Sequence, residues 1–402
     1  MAVRLTTAAE RQVRLRHPWV FNKSVESTSH DGAPGDLAVI FDKKRAFVGI
    51  GLWDPASPIR IRMVHVGKPR TIDADFWRER VLEALTRRDA LITDPATTAY
   101  RVIHGENDGF SGLVCDLYDT TLVVKLYSAV WLPHLQSIVE ALADLLDVES
   151  AVVRLGRLAA SQDLQGLESG MALVGKAPTA PVAFLENGLE FHADVIEGQK
   201  TGHFLDQRDN RAMVRALTEG AKVLDVFSCT GGFSVHAAAG GARSVTSIDV
   251  SPGALAAAQA NMAANNDIAA VAACRHQVLR GDAFDLMESA IRQGERYDFV
   301  IIDPPSFAAR RIQIGPALHS YNRLTTLGLA LCADEGTLVQ ASCSSRVTTE
   351  DFLAIVHGAA AEVDIALDDA VVTGHGADHP IGFAEGSYLK AIFATPRSVS
   401  SF

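Results

Sequence analysis

The chain has 402 residues, of which 48% are hydrophobic and 21% are charged, so we expect a globular protein of two or three domains. No run of about 20 apolar residues occurs, and the amino terminus lacks the apolar core of a signal peptide. These features predict a cytoplasmic protein with no membrane association. The five cysteines show no C-x-x-C spacing, which argues against a disulfide framework and against a zinc or other metal site.

Charge is unevenly distributed along the chain. The net charge of −11 would by itself argue against a nucleic-acid partner. Residues 1–70, however, contain 12 basic and six acidic side chains and carry +6, which leaves −17 for the remainder. A small basic module joined to an acidic body is typical of a separate phosphate-contacting domain, although a solvated surface with no partner explains the charge equally well.

Residues 1–70 predict a small β-barrel-like domain, because short β-rich runs alternate with Gly, Pro and Asp clusters. The runs are Leu37 to Phe41, Ala46 to Leu52 and Ile59 to Val66. The segment Arg14 to Phe21 places basic, aromatic and proline residues side by side. We interpret Arg16 and Trp19 as candidate substrate contacts; the alternative is a hydrophobic plug with solvated arginines.

Residues 71–180 predict a second, small α+β domain. An amphipathic helix is expected from Asp75 to Leu91. The segments that follow have a β-β-β-α-β order, which suits such a domain. They are strands near Ala99 to Ile103, Gly112 to Asp116 and Thr121 to Leu126, a helix from Leu132 to Leu145 and a strand at Ala151 to Arg154. No catalytic set is evident here.

Residues 185–397 predict an α/β domain built on a βαβ unit. A strand at Val223 to Phe227 ends in a glycine turn, and an alanine-rich helix follows up to Gly240. The next strand, Ser244 to Ile248, leads to Asp249, and Ser251-Pro252 then forms an N-cap with proline at the first helical position. The order indicates a parallel, Rossmann-like sheet.

A nucleotide-like ligand is expected at the carboxyl ends of these strands, where Asp249 can accept hydrogen bonds from both ribose hydroxyls. The G-x-G-x-x-G fingerprint for a pyrophosphate is missing, which favours an adenosine with no phosphate. Asp225 suits a cationic tail. S-adenosylmethionine, with its ammonium and sulfonium, satisfies both constraints; the alternative is any other α/β nucleotide-binding domain.

Two later strand ends add candidate residues. Asp282 can accept from an adenine amino group and Ala283 can contact the ring, although an acid here is more often a helix N-cap. A buried strand from Tyr297 to Ile302 then ends in Asp303-Pro304-Pro305-Ser306-Phe307. The two prolines fix an extended backbone at the mouth of the site, so that a carboxylate faces the base to be modified and Phe307 can stack on it.

Cys343 is a candidate nucleophile. A strand from Thr337 to Ala341, after a turn at Asp334 to Gly336, ends in Ser342-Cys343-Ser344-Ser345. This order places the thiol at the same sheet edge as Asp225, Asp249 and Asp303. The alternative is a small polar turn with an incidental thiol.

Several runs together resemble the bacterial large-subunit ribosomal RNA 5-methylcytosine methyltransferases. They are GQKTGHFLDQRDNR, VLDVFSCTGGFSVHAAAGGA, DFVIIDPPSFA, QASCSSR and DHPIGFAEGSYLKAIF, with RHPWVF and GIGLWDPASPIRIRMV resembling the family's PUA domain. The resemblance covers nearly the whole chain. It implies a PUA domain, an α+β middle domain, a class I methyltransferase domain, ribosomal RNA as partner, and a possible homodimer.

The resemblance also implies roles for individual residues. Cys343 would be the nucleophile, and Asp303 would hold cytosine at N3 and its exocyclic amine. Substrate contacts would be Pro304, Pro305, Phe307, Lys200, Arg16 and Trp19. S-adenosylmethionine would be bound by Asp225, Phe227, Ser228, Thr230, Gly231, Gly232, Phe233, Asp249, Asp282, Ala283, Phe204, Gln207 and Arg208.

The chemistry explains the need for a thiol. Cytosine C5 is a poor nucleophile, so a thiolate adds to C6 and converts the ring into an enamine that can take a methyl group. Better-known RNA cytosine-5 enzymes carry a second cysteine in the D-P-P motif, which is absent from Asp303-Pro304-Pro305-Ser306. Two alternatives remain: methylation of another rRNA base, at an amino group or ring nitrogen of guanine, and a non-catalytic RNA-binding assembly factor.

Overall fold

The computed structural model describes residues 1–157, 159–308 and 310–399. These residues form two compact units. The amino-terminal unit comprises 1–185, 193–205 and 377–386, and the carboxy-terminal unit comprises 186–192, 206–376 and the described residues from 387 onward. Within the described ranges, no helix is long and apolar enough to cross a membrane.

The amino-terminal unit begins with a six-stranded sheet. Its elements are β1 (Ala2–Leu5), α1 (Thr7–Arg14), β2 (Trp19–Phe21), β3 (Val25–Thr28), β4 (Leu37–Phe41), β5 (Phe47–Trp53) and β6 (Ile59–Val66). The strand order is β2-β6-β5-β4-β1-β3. Alternating burial puts side chains such as Val3, Leu5 and Ile40 into one core, as strand periodicity requires. All three predicted strands are present.

A five-stranded sheet, in the order β11-β10-β9-β8-β7, follows in the same unit. The elements are α2 (Ala74–Thr86), α3 (Asp89–Ile92), β7 (Ala99–His104), β8 (Leu113–Tyr118), β9 (Thr121–Leu126), α4 (Leu132–Leu146), β10 (Ser150–Leu155) and β11 (Ala172–Val174). The prediction of one helix from Asp75 to Leu91 is wrong. The helix is interrupted at Arg88, whose buried guanidinium bonds Asp108 at 2.6 Å and the carbonyl of Arg101.

A short hairpin then pairs β12 (Val182–Glu186) with β13 (Leu189–Ala193). The carboxy-terminal unit contains a seven-stranded sheet and its helices. Its elements are α5 (Arg208–Leu217), β14 (Lys222–Val226), α6 (Gly232–Ala239), β15 (Ser244–Asp249), α7 (Pro252–Ala264), α8 (Ala269–Ala273), β16 (Arg275–Arg280), α9 (Ala283–Arg292), β17 (Tyr297–Ile302), α10 (Ile314–Leu331), β18 (Cys332–Ser342), α11 (Thr349–Ala361), β19 (Ile365–Thr373) and β20 (Lys390–Ser398).

The strand order of this sheet is β16-β15-β14-β17-β18-β20-β19. The first five strands are parallel, whereas β20 runs antiparallel to both of its neighbours. The chain order reverses between β14 and β17, and ligands bind outside the carboxyl ends of strands at such a switch point. The fold is therefore a Rossmann-like α/β sheet with its binding edge after β14.

The start of β18 differs from the prediction. The expected turn at Asp334 to Gly336 lies inside the strand, which already begins at Cys332. The strand register shifts between Tyr297 and Phe299 of β17, and Glu335 has a φ of +59°. β18 pairs with β17 both before and after this point, so the residues between Cys332 and Thr337 form a bulge within one continuous strand.

Candidate active site

The turn after β14 has an unusual backbone. Phe227, Cys229 and Gly231 have φ values of +64°, +48° and +78°. The amide of Ser228 donates to the carbonyl of Ile248 at 2.9 Å, and that of Gly231 donates to the Ser228 carbonyl at 2.8 Å. Left-handed conformations at non-glycine residues are costly and concentrate at functional sites. The turn therefore looks like a specialised binding loop, which passes directly into α6 at Gly232.

Asp225 lies at the end of β14 and is 1% exposed. Its Oδ2 accepts a hydrogen bond from Ser234 Oγ at 2.6 Å. Burial, together with the nearby carboxylates of Asp303 and Asp249, raises the pKa of Asp225 to about 7. Asp225 Oδ1 and Ser228 Oγ are buried with no hydrogen-bond partner among the described residues. A buried acceptor without a protein donor is costly, so we expect the cationic group of a ligand to donate to Asp225 Oδ1.

A buried chain of hydrogen bonds ends at Asp225. Ser234 Oγ lies 2.7 Å from Ser247 Oγ, which in turn lies 2.8 Å from Nε2 of His276 on β16. When Asp225 is ionised its carboxylate can only accept, and all three hydrogen bonds are then satisfied if Ser247 donates to Ser234 and His276 donates from Nε2. In that state three aligned dipoles stabilise the negative charge.

Two further predicted cofactor residues also stabilise the backbone. Asp249, at the end of β15, accepts from the amide of Cys229 at 3.0 Å and from that of Ser251 at 2.8 Å. It therefore connects the turn to the start of α7. Asp282 is the N-cap of α9 and accepts from the amides of Phe284 and Asp285. The N-cap alternative for Asp282 is thus present, and its adenine role stays a prediction.

Gly231 is enclosed by α7. A Cβ at this position would lie 2.8 Å from the Cβ of Ala258, and the φ of +78° disfavours any other residue. We expect Gly231→Ala to lower the free energy of unfolding by about 2 kcal/mol or more, since backbone strain and overpacking add. Urea unfolding measures this. Gly253→Ala is the matched control, because that glycine lies in α7 with its nearest contact at 3.9 Å; an equal loss in both variants would contradict the argument.

Two loops bring the predicted reactive groups to one edge of the sheet. The amide of Asp303, directly after β17, donates to the carbonyl of Val226 in β14 at 3.3 Å. The thiol of Cys343, directly after β18, lies 3.8 Å from the carbonyl oxygen of Pro304. Pro304 is buried and Pro305 is exposed. The thiol, the loop that carries Asp303 and the turn after β14 therefore lie at the same edge of the sheet.

Tyr321 of α10 connects the two loops. Its hydroxyl accepts from Ser342 Oγ at 2.8 Å and lies 3.0 Å from Ser344 Oγ. Its ring packs edge to face against Phe307, with the centroids 5.3 Å apart. Ser342 and Ser344, on either side of Cys343, and Phe307 thus all contact the same residue of α10. The sequence analysis missed Tyr321, whose only signal is its position in an otherwise polar stretch of the helix.

A second supporting group also escaped the sequence analysis. Glu186 forms a buried, two-bond ion pair with Arg211 of α5 at 2.6 Å, and its carboxylate lies 3.6 Å from Nε2 of His236. The other ring nitrogen of His236 lies 2.9 Å from the carbonyl of Gly232. Burial lowers the pKa of His236 to about 4, so this histidine is neutral at physiological pH. The network fixes the first turn of α6, next to the binding loop.

The remaining predicted residues are divided between the units. In the carboxy-terminal unit, Gln207 and Arg208 are buried at the start of α5, and Gln207 accepts from Asn210 at 2.6 Å. Also in that unit, Phe233 and Ala283 are buried, and the carbonyl of Thr230 accepts from Asn261 at 2.9 Å. The other four predicted contacts lie in the amino-terminal unit: Arg16, Trp19, Lys200 and Phe204.

Those four residues have defined local environments. Arg16 is exposed with a φ of +65°. The indole N–H of Trp19 donates to Glu106 at 3.0 Å and to Ser111 at 3.1 Å. The Lys200 ammonium lies 4.2 Å from the ring centroid of Phe204. No group of three or more His, Cys, Asp or Glu in the described part of the chain could hold a metal ion.

Comparison with known proteins is consistent along the whole chain. The model of the S-adenosylmethionine-dependent methyltransferase family matches residues 100–363, and that of the PUA-like domain matches residues 3–65. A Deinococcus radiodurans protein named ribosomal RNA large subunit methyltransferase is 43% identical and covers 98% of this chain and 97% of its own length. Ribosomal RNA large subunit methyltransferase I of Aeromonas salmonicida is 34% identical, with 98% of each chain covered.

Solved structures show the same fold. A methyltransferase complexed with SAH superimposes with a TM-score of 0.82 at 22% identity, covering 98% of this chain and 100% of its own. A SAM-dependent methyltransferase from Streptococcus mutans gives 0.81 at 22% identity over the same shares. The protein uses S-adenosylmethionine as its cofactor. The chain belongs to the family of the ribosomal RNA large subunit methyltransferases, which are S-adenosylmethionine-dependent and here carry a PUA-like domain.

Proposed function

We propose that this protein methylates C5 of a cytosine in large-subunit ribosomal RNA, with Cys343 forming a transient covalent bond to C6 of the base. The observation that carries the proposal is the placement of the Cys343 thiol 3.8 Å from the Pro304 carbonyl, beside Asp303 at the carboxyl edge of the sheet. The names of the relatives, at 43% and 34% identity, support ribosomal RNA as the substrate.

We infer that the residues around the β14 turn hold the cofactor. S-adenosylmethionine supplies an electrophilic methyl group on a sulfonium. Asp225 Oδ1, buried without a partner among the described residues, would accept from the ammonium, and Asp249 would accept from the ribose hydroxyls. Further contacts are proposed for Phe204, Gln207, Arg208, Phe227, Ser228, Thr230, Gly231, Gly232, Phe233, Asp282 and Ala283.

Cys343 and Asp303 would serve the first step of the proposed reaction. The Cys343 thiolate adds to C6 of cytosine, and Asp303 holds the ring at N3 and the exocyclic amine while electron density moves toward C5. C5 then takes the methyl group. Loss of the C5 proton to a base restores the double bond and expels the thiolate. Pro304, Pro305 and Phe307 would hold the flipped base at the mouth of the site.

RNA binding is proposed for the amino-terminal unit, with Arg16, Trp19 and Lys200 as contacts. We propose domain boundaries at 1–70 for the PUA domain, 71–180 for the α+β domain and 185–397 for the methyltransferase domain. A few kcal/mol are needed to unstack the target base, and phosphate contacts outside the reaction site can supply them.

A cytoplasmic location and a homodimer stay predictions, the latter testable by sedimentation equilibrium.

Lys43 and Lys44 offer a test of the RNA-binding surface, because both are exposed in the turn between β4 and β5. We expect the double substitution to alanine to reduce the salt dependence of RNA affinity by up to about 1.4 in log–log slope, since each lost phosphate contact contributes about 0.7. Fluorescence anisotropy across a salt series measures this. Arg292→Ala, an exposed charge at the end of α9, is the control; an unchanged slope in the double variant would contradict a phosphate contact there.

The function itself is tested with ribosomal RNA that contains 5-fluorocytosine. Fluorine cannot leave C5 as a cation, so the methylated adduct of RNA with Cys343 should persist through denaturing electrophoresis. We expect this adduct in the wild type and none in Cys343→Ala. Methyl transfer to ordinary RNA without any adduct would instead indicate a guanine nitrogen or another amino group, and absence of S-adenosylmethionine binding would indicate an assembly factor.

A further inference from the structure

The proposed nucleophile lies in an acidic part of the molecule. Carboxylates of Asp225, Asp249 and Asp303 all lie at this edge of the sheet, close enough for Asp303 and Asp249 to raise the pKa of Asp225. A free cysteine near pKa 8.5 is only a few per cent thiolate at pH 7, and neighbouring negative charge reduces that fraction further. A positive charge near Cys343 would increase that fraction.

Lys390 is a buried cation that contacts this loop. It is the first residue of β20 and pairs directly with Ser342 of β18, the residue before Cys343. Although it is a lysine, it is only 3% exposed. Fully buried lysines are rare unless their charge is compensated, because an unpaired ammonium in an apolar environment is costly.

The ammonium of Lys390 is held by three carbonyl oxygens. Its Nζ donates to Ser344 at 2.6 Å, to Val347 at 2.6 Å and to Tyr388 at 3.1 Å. An ammonium has three N–H donors, so each proton has an acceptor. None of these acceptors carries a full negative charge. Two of the three belong to the segment that follows Cys343, so the ammonium holds this loop through neutral acceptors.

Electrostatics connects the two side chains. Burial lowers the pKa of Lys390 to about 8, and the charge on Cys343 counteracts that decrease. The hydroxyl of Tyr321, from α10, also interacts with the charges of Cys343 and of Asp303, the residue directly after β17, and Arg346 is exposed on the Cys343 loop itself. Burial raises the pKa of Tyr321, so this hydroxyl is neutral at pH 7.

We propose that Lys390 is a positioning residue that orders the loop carrying Cys343 and stabilises its thiolate, which rests on the proposed function insofar as Cys343 is the nucleophile. The ammonium takes no proton from the substrate and forms no bond to it. It offsets the field of the three aspartates, so that the anion needed for addition to C6 is present at neutral pH. A desolvated charge of this kind is worth more than one in water.

The test measures the thiolate directly, without RNA. Cys343 is alkylated with iodoacetamide between about pH 5.5 and about pH 9.5, and each modified cysteine is quantified by mass spectrometry, because only the thiolate reacts. In the wild type we expect a midpoint below about 8.5 for Cys343. We expect Lys390→Met to raise the midpoint by about one pH unit or more, and Lys390→Arg to keep it low, since the charge is retained.

Two other cysteines show whether a variant is folded. Burial raises the pKa of Cys229 to about 11 and that of Cys332 to about 12, so both should react slowly across the series as long as the fold is intact. Lys390→Met should also lower kcat and shift its pH profile upward while KM for RNA is unchanged. A loss of packing alone would not shift that profile.

Two results would overturn the inference. One is an unchanged Cys343 midpoint in Lys390→Met with Cys229 and Cys332 still protected. The other is a wild-type midpoint at or above about 8.5, which decides the matter even if the variants do not fold. Failure of the proposed function is distinguishable, because it would remove the 5-fluorocytosine adduct while the low wild-type midpoint and its dependence on Lys390 remained.

Discussion

Replacing Cys343 with alanine is expected to abolish methyl transfer, with a decrease in kcat of at least about 10⁴-fold, because without a nucleophile at C6 the C5 carbon is too electron-poor to take the methyl group. S-adenosylmethionine affinity should change little, since the thiol lies after β18 and its described polar contact is to the Pro304 carbonyl. Single-turnover transfer of labelled methyl groups to ribosomal RNA, with calorimetry for the cofactor, measures both quantities.

The matched control for this substitution is Cys274→Ala. Cys274 is half-buried, directly precedes β16, and has a pKa raised by burial. It should retain full activity. If Cys343→Ala kept more than about one per cent of wild-type activity, the covalent route would be abandoned in favour of transfer to a nitrogen, which needs no thiol.

The second large effect is expected at Asp225. We expect Asp225→Asn to weaken S-adenosylmethionine binding about 10- to 100-fold, since a hydrogen bond to a charged group contributes about 1.5–3 kcal/mol and 1.4 kcal/mol is a factor of ten. Titration calorimetry measures the affinity. The exposed Asp267→Asn is the control, because it removes the same formal charge in the turn between α7 and α8, directly after no strand of the sheet.

The pH dependence identifies the carboxylate. A pKa of about 7 means that Asp225 is protonated on the acid side, so wild-type affinity should decrease as pH falls through 7. It should decrease again above about 8, where an α-amino group loses its proton. In Asp225→Asn the decrease in affinity on the acid side (the acidic limb of the profile) should be lost, and the decrease on the basic side should remain. A flat acidic limb in the wild type would mean that Asp225 does not bind the ammonium.

The same substitution should have the opposite effect on the free protein. The pKa of Asp225 is raised from about 3.9 in the unfolded chain to about 7 in the fold, so its favourable contribution is fully present below about 3.9 and is lost as pH rises through 7. Asparagine does not titrate. The melting temperature of Asp225→Asn relative to the wild type should therefore increase between pH 4 and pH 7, as calorimetric scans without cofactor can show.

Local sequence patterns were sufficient to predict many of the helices, turns and strands of the carboxy-terminal unit. The Ser251-Pro252 dipeptide specifies the start of α7, where Ser251 accepts from the amide of Ala254 at 3.2 Å. The glycine pair specifies the turn into α6, and the apolar run Tyr297–Ile302 is a strand at the predicted bounds. These signals involve residues that are neighbours in sequence, so the energy that decides them is present in the sequence itself.

Contacts between distant residues decided the rest. The helix predicted from Asp75 to Leu91 is interrupted at Arg88, whose partner Asp108 lies 20 residues later in the chain. The bulge in β18 likewise depends on pairing with a different strand, β17. Lys390 pairs with Ser342 across 48 residues, and nothing in the order of the residues indicates that its ammonium lies against the loop of Cys343. The sequence by itself indicated the parallel strands β14, β15, β17 and β18 and the acids and thiol that stand at or just after their carboxyl ends. Only the tertiary structure decided the charge environment of those groups, because burial and long-range pairing are properties of the packed chain.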